Sequence, residues 1–327
     1  MAIPDLDPDA ALRAVWPGLA AAAGLTPEGH MLRVMALRGG PRPERVLGAV
    51  DGPDGAFVLK RAAQADELWF DRQVAAHRMA EAAFAGAEGL AVPRLLAVDR
   101  PGRTMLMDLV PGPTAHEAAL AADGPAARLD VLRQGARWLG HLHRAAPPQL
   151  RRFRPVEALA RLRRIRARAG PDGPGVPEPG AFAAFAARTE AALRSTALRK
   201  AIRRPAHGDM HLANVILRPD GVVHGIDFCA VDPAYPAWDL ARLLTHFTTF
   251  FVEPEAAVEG LTAARAAMLE GYGGLWRDVS VLDALVAVEL ARQWSAVPVA
   301  PSRRLAMRAR RWARLRPLID ALHVGRA

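Results

Sequence analysis

The alternation of apolar and polar positions divides the chain into two differently built stretches. Asp7-Pro8 opens a helix, with Asp as N-cap and Pro in the first turn, and Ala10 to Leu19 continues it. Short apolar runs follow at Met31 to Leu37, Arg45 to Val50 and Ala56 to Lys60. Gly39-Gly40 and the cluster Asp51-Gly52-Pro53-Asp54-Gly55 separate them, which predicts a small antiparallel sheet. Ala65 to Phe84 has helical spacing, with Leu68, Val74 and Met79 among its apolar positions. Leu95 to Val98 and Thr104 to Leu109 predict two more strands around the turn Arg100-Pro101-Gly102. Val110-Pro111-Gly112-Pro113 breaks the pattern. The boundary is placed there: 1–110 is a β-rich lobe with helix 8–20 before its sheet, and 111–327 is a larger helical lobe.

In the second stretch, Leu129 to Arg144, Val156 to Ala169 and Phe182 to Leu198 carry helical patterns rich in Ala, Leu and Arg. Gly170 to Gly180 is a loop by composition, Ile202 to Phe228 interrupts the helices with short strands and turns, and helices resume from Tyr235. No solenoid repeat is present. The fold class expected is α+β, two lobes, with a small antiparallel sheet and a helical majority.

Composition narrows the class. The chain has 327 residues, 51% hydrophobic and 24% charged, which is ordinary globular usage and long enough for two lobes. No apolar run approaches the roughly 18 residues of a membrane-spanning helix. The N-terminus has no basic start with an apolar stretch behind it, so no signal peptide is expected. The single cysteine, Cys229, forms no intramolecular disulfide and is expected as a small buried hydrophobe. Together these predict a soluble cytoplasmic protein.

The net charge of +9 invites phosphate-bearing partners, nucleic acid or anionic membranes. Yet only Lys60 and Lys200 among the 43 basic residues are lysine, a skew that reads as compositional bias. Arg151 to Arg168 and Arg303 to Arg316 space their arginines helically between Leu, Ala, Ile or Trp, the pattern of amphipathic helices with solvated faces. Neither nucleic acid nor membrane is therefore expected as a partner. Lys60 stands out, because a compact ammonium is kept where the chain otherwise writes Arg.

The chemistry concentrates in His207-Gly208-Asp209-Met210-His211-Leu212-Ala213-Asn214, followed by Gly225-Ile226-Asp227-Phe228. Phosphoryl transfer needs a carboxylate to orient the attacking hydroxyl and accept its proton. It also needs oxygen ligands for the magnesium ions that neutralise the phosphates. Asp209 supplies the first, and Asn214 and Asp227 the second. His207 and His211 are read as structural, Asp239 as bonding the backbone of the 207–214 loop, and Asp232 as a turn residue.

This pattern resembles the aminoglycoside phosphotransferase family, a branch of the protein-kinase-like fold. The segments Asp232-Pro233-Ala234-Tyr235-Pro236-Ala237-Trp238-Asp239-Leu240-Ala241 and Leu269-Glu270-Gly271-Tyr272-Gly273 resemble it too. The resemblance runs from about residue 30 to 275 and implies an ATP-dependent, magnesium-dependent kinase of a small hydroxylated molecule. It implies that Lys60, in Phe57-Val58-Leu59-Lys60, grips the nucleotide phosphates under a cover at Gly39-Gly40. It also implies an adenine-binding hinge at Asp108, Leu109 and Val110. A helix acid should pair with Lys60; Glu67, Asp71 and Glu81 compete, and Glu67 fits best. The chain departs from the family at Pro41 and Pro43, which remove two backbone donors from the phosphate cover. The implied acceptors include aminoglycosides, amino sugars and choline-like alcohols. Phe247, Phe250, Phe251, Tyr272, Trp276 and Trp294 gather in the last third, mostly as core, with one or two candidates for an acceptor pocket.

Two other readings compete. A nucleotide-binding regulator of the same fold would bind ATP without transferring phosphate. A metallohydrolase would use His207, Asp209 and His211 as ligands, leaving Lys60, the glycine turn and the hinge without a role.

Overall fold

The structure is a computed structural model that describes residues 7–39, 43–63, 65–170, 175–196, 200–229, 234–273, 279–297 and 305–322. Gly40, Pro41, Asp232 and Trp276 lie outside the described residues. The chain divides into two compact units, Met1–Gly112 with Ile216–Val231, and Pro113–Val215 with Asp232–Ala327.

The first unit begins with α1 (Pro8–Ala22), capped by Asp7, whose side chain accepts the amide of Asp9. Strands β1 (Met31–Gly39), β2 (Pro43–Gly52) and β3 (Gly55–Arg61) follow, then α2 (Glu67–Phe84), β4 (Leu90–Ala91), β5 (Leu95–Asp99) and β6 (Thr104–Asp108). Five of these strands form one antiparallel sheet in the order β1-β2-β3-β6-β5.

Strand alternation sends successive side chains to opposite faces. Phe57, Leu59 and Leu106 pack with Leu12, Trp16 and Leu19 of α1 on one face. Val58, Met105 and Met107 pack with Trp69, Phe70 and Val74 of α2 on the other. Each Leu or Phe so buried stabilises the unit by about 1.5–3 kcal/mol relative to exposure. The same alternation puts Lys60 on the α2 face, two residues beyond Val58.

The second unit is helical. It holds α3 (Ala115–Ala121), α4 (Gly124–Arg144), β7 (Gln149–Arg152), α5 (Val156–Ala169), α6 (Pro179–Ser195) and β8 (Lys200–Arg203). The chain then runs through the short strands β9 (Val215–Leu217) and β10 (Val223–Gly225) into α7 (Ala237–Phe251), α8 (Ala257–Tyr272), α9 (Val279–Ser295) and α10 (Leu305–Ala321). Helices α4 and α8 lie backbone to backbone, because a Cβ at Gly271 would strike the backbone of Arg133 and one at Gly140 the carbonyl of Tyr272. In α5, Ala158, Leu159, Leu162 and Ile165 are buried while Arg163, Arg164, Arg166 and Arg168 are exposed, the amphipathic face read from the sequence. No helix among the described residues is long and apolar enough to cross a membrane.

Two expectations need correcting. The segment 225–228 was assigned to the helical lobe, but Ile216–Val231 groups with the first unit. The reason is a parallel ladder in which Val223 pairs with Leu90 and His224 with Ala91. Cys229 was expected to be buried and is exposed; the core position is taken by its neighbour Phe228, which is 2% exposed.

Candidate active site

The loop 207–214 is fixed from beneath by one buried carboxylate. Asp239, 1% exposed in the first turn of α7, accepts the backbone amide of His207 at 2.7 Å and that of Gly208 at 3.0 Å. It lies 3.2 Å from His143 Nε2, and His143 Nδ1 lies 3.0 Å from the Tyr272 hydroxyl. An ionised carboxylate can only accept, so Nε2 carries the proton and, in the neutral ring, Nδ1 accepts from Tyr272. Burial raises the Asp239 pKa, but the His143 hydrogen bond and the surrounding positive groups outweigh it and bring it down to about 2. Burial pushes the Tyr272 hydroxyl up to about 12, so it stays a proton donor.

Above that anchor the loop presents its chemistry. Gly208 adopts φ +86°, which glycine takes without strain. His207 is fully buried, stands edge-on to Trp138, and accepts the Asp209 amide at Nδ1 at 3.3 Å. The Asp209 side chain is 41% exposed, 3.9 Å from His211 Nε2. Asn214 donates from Nδ2 to the Asp209 carbonyl at 2.9 Å, and its own amide donates to the His211 carbonyl. That orientation leaves Oδ1 as the Asn214 atom suited to a hard cation. A ring cluster adjoins Asp209: His211 stacks on His246 at 5.4 Å, and His116 meets His246 at 5.1 Å and Phe250 at 4.9 Å.

The first unit holds a second constellation. Lys60, 7% exposed on β3, donates from Nζ to Asp227 Oδ1, and Arg45 donates to Asp227 Oδ2 at 3.3 Å. Asp227 adopts φ +68°, a conformation that Asp enters more readily than most residues. Phe228 anchors it by meeting His77 of α2 edge-on at 5.4 Å. His77 lies 2.8 Å from the Pro93 carbonyl, so Nε2 is the donor, and burial lowers the ring's pKa and keeps it neutral.

None of the three competing acids is the hydrogen-bond partner of Lys60. Glu81 accepts the Leu95 amide, Asp71 pairs with Arg100, and Glu67 sits exposed at the first residue of α2. Two residues here escaped the sequence reading. Arg45 is one arginine among many, and Gln73 is a polar residue 3% exposed on the inner side of α2. At the end of β6, the Asp108 and Leu109 amides donate to the carbonyls of Arg94 and Ala56. Gly112 has φ +128°, and a Cβ there would strike the Leu217 carbonyl. Gly39 ends β1.

The Asp227 carboxylate in the first unit and the Asn214 amide oxygen in the second are each of the oxygen-donor kind that a hard cation such as magnesium takes. Among the described residues no three His, Cys, Asp or Glu side chains form a metal-holding group.

The family model described as the phosphotransferase enzyme family, APH, matches residues 45–285. The chain belongs to this family. The protein-kinase-like fold expected of it is shared by solved phosphotransferases. A macrolide 2'-phosphotransferase from Brachybacterium faecium is 19% identical, covers 95% of this chain and 97% of its own, and has a TM-score of 0.55. An amicoumacin kinase, solved with AMP-PNP, Ca2+ and Ami, is 13% identical over 88% of each chain, with a TM-score of 0.58. A Plasmodium vivax ethanolamine kinase is 12% identical, covering 96% of this chain and 87% of its own, with a TM-score of 0.53. No curated protein gives a significant match. Within this phosphotransferase family, identities this low carry the fold and not the acceptor.

Proposed function

We propose that the chain transfers the γ-phosphate of ATP to a hydroxyl of a small molecule. The observation that carries this reading is the anchored loop: Asp239 binds the backbone at His207 and Gly208, and Asp209 projects half-exposed with Asn214 bonded to its carbonyl. A general base must be reachable by substrate yet held in one place, and this arrangement meets both conditions.

Asp209 accepts the proton of the acceptor hydroxyl as its oxygen bonds to the γ-phosphorus. The bond from that phosphorus to the bridging oxygen breaks, and ADP leaves with that electron pair. Asn214 Oδ1 and Asp227 would hold magnesium, which would supply neutralisation of charge on the phosphates. Lys60 holds the phosphate chain. Gly39 and Gly40 cover it, with Val110 and the hinge carbonyls on the adenine and Glu67 at the head of α2. His246 and Phe250, half-buried beside His211, supply ring surface on which a cyclic acceptor stacks.

The test is magnesium-dependent ATP consumption across a panel of alcohols, amino sugars and aminoglycosides. Acceptor-dependent turnover is expected in the wild type, falling about 10²- to 10⁴-fold in Asp209→Asn while ATP still binds. Near-normal turnover in that variant would remove Asp209 from the role of base.

A further inference from the structure

Arg45 of β2 joins Lys60 at the Asp227 carboxylate. Leu47 pairs with Lys60 across β2 and β3, so the two share a face of the sheet. Arg45 lies two residues before Leu47 and shares that face. Its guanidinium sits 5.5 Å from the ring centre of Trp69 on α2, and Nη1 lies 3.3 Å from Asp227 Oδ2. Lys60 holds the other oxygen of the same carboxylate. One negative charge therefore faces two positive ones, in a place where the Arg45 and Asp227 side chains are 23% and 22% exposed. The surplus cation is within reach of solvent, and its complement is a polyanion.

The sequence supplies the complementary deficit. Pro41 and Pro43 have no amide hydrogen, so the sequence that follows Gly39-Gly40 carries two fewer backbone donors than two other residues would give it. A guanidinium carries five N–H donors in a planar fork, suited to adjacent phosphate oxygens. The Trp69 ring, under the Arg45 guanidinium, holds it by a cation–π contact.

We propose that Arg45 is a second phosphate ligand, forming with Lys60 a two-cation clamp on the phosphate chain of a nucleoside triphosphate. A divalent cation at Asp227 would compete with Lys60 and Arg45 for the carboxylate oxygens, which would leave both cations available to the phosphates. This inference rests on the phosphotransferase reading above.

Calorimetric titration of the full chain with ATP, ADP and adenosine, in magnesium, tests it. In Arg45→Gln, affinity for ATP falls about 10- to 100-fold while adenosine binds within about twofold of wild type. Arg45→Lys, which keeps the charge and loses the fork, falls between them. Unchanged ATP affinity in Arg45→Gln overturns the inference alone, as do equal losses for ATP and adenosine. A wild-type chain that binds neither ligand overturns the phosphotransferase reading, and the inference falls with it.

Discussion

Asp239 Oδ2 accepts the backbone amide of His207 at 2.7 Å. One side chain thereby converts the start of α7 into the support for the loop that carries Asp209. The support has a defined pH dependence. The Asp239 carboxyl is depressed from 3.8 to about 2, so it adds stability above pH 3.8 and that contribution is lost as pH falls through about 2. The shift corresponds to about 2 kcal/mol. Asp239→Asn keeps the shape, but its NH2 then faces a backbone donor. Urea unfolding at several pH values from 2 to 7 should show the wild type more stable near neutrality and the gap closing toward pH 2. A gap independent of pH would mean that the charge is not what holds the loop.

Gln73 invites a stability test. It is 3% exposed, and neither polar atom of its amide bonds any group among the described residues. A buried unsatisfied amide costs about 1–3 kcal/mol. Gln73→Met keeps length and approximate volume and removes both polar atoms. The variant should melt about 2–4 °C higher than wild type in the absence of nucleotide. An unchanged or lowered midpoint would show that the amide is satisfied in solution.

The residues that escaped the sequence reading escaped for physical reasons. Periodicity located α5 at Val156–Ala169 and placed β3, β5 and β6 to within a residue or two, because their alternation is local. The short α3 follows Pro111-Gly112-Pro113 and has too few turns to show a period, although Thr114 and Glu117 form a capping box. The β7–β8 ladder joins Gln149–Arg152 to Lys200–Arg203, and neither segment has a buried stripe. The motif spacing singled out Asp209, Asn214, Asp227 and Lys60. What it could not show is that Lys60 meets Asp227 rather than an acid of α2, since that contact depends on how β10 pairs with β4. Arg45 left no signal, because an arginine here is the default basic residue.

Glu289 is the structural counterpart of Asp239 on the α5, α7 and α9 helices. Its side chain is fully buried, 3.0 Å from Arg161 Nη2, 2.7 Å from Arg292 Nε and 3.6 Å from Arg242 Nε. Burial raises its pKa, but three guanidinium charges outweigh that and hold it below 4.5. Its contribution is present above pH 4.5 and declines as pH falls below that value. Glu289→Ala leaves several cations partly buried without their shared anion. The loss should be about 3–5 kcal/mol in denaturant unfolding at neutral pH, with a smaller loss in acid. A loss under about 1 kcal/mol would indicate that solvent screens the arginines already.

The ring cluster beside Asp209 offers a test that distinguishes acceptor binding from nucleotide binding. His246 stacks on His211 with a 20° angle between planes and lies 4.8 Å from Phe250. His211 also approaches the Asp209 carboxylate, so His246 is one ring removed from the proposed base. If the acceptor stacks there, His246→Ala removes ring surface without touching Asp209, Asn214 or Lys60. A ring contact is worth about 0.5–1.5 kcal/mol beyond its area, or roughly 2- to 10-fold. The expected result is an acceptor KM raised by that factor, with the KM for ATP unchanged and kcat reduced less than in Asp209→Asn. Burial also lowers the pKa of the neighbouring His116, which favours its neutral ring. Steady-state kinetics with each substrate varied in turn would decide. A change confined to the KM for ATP would remove the cluster from the acceptor site.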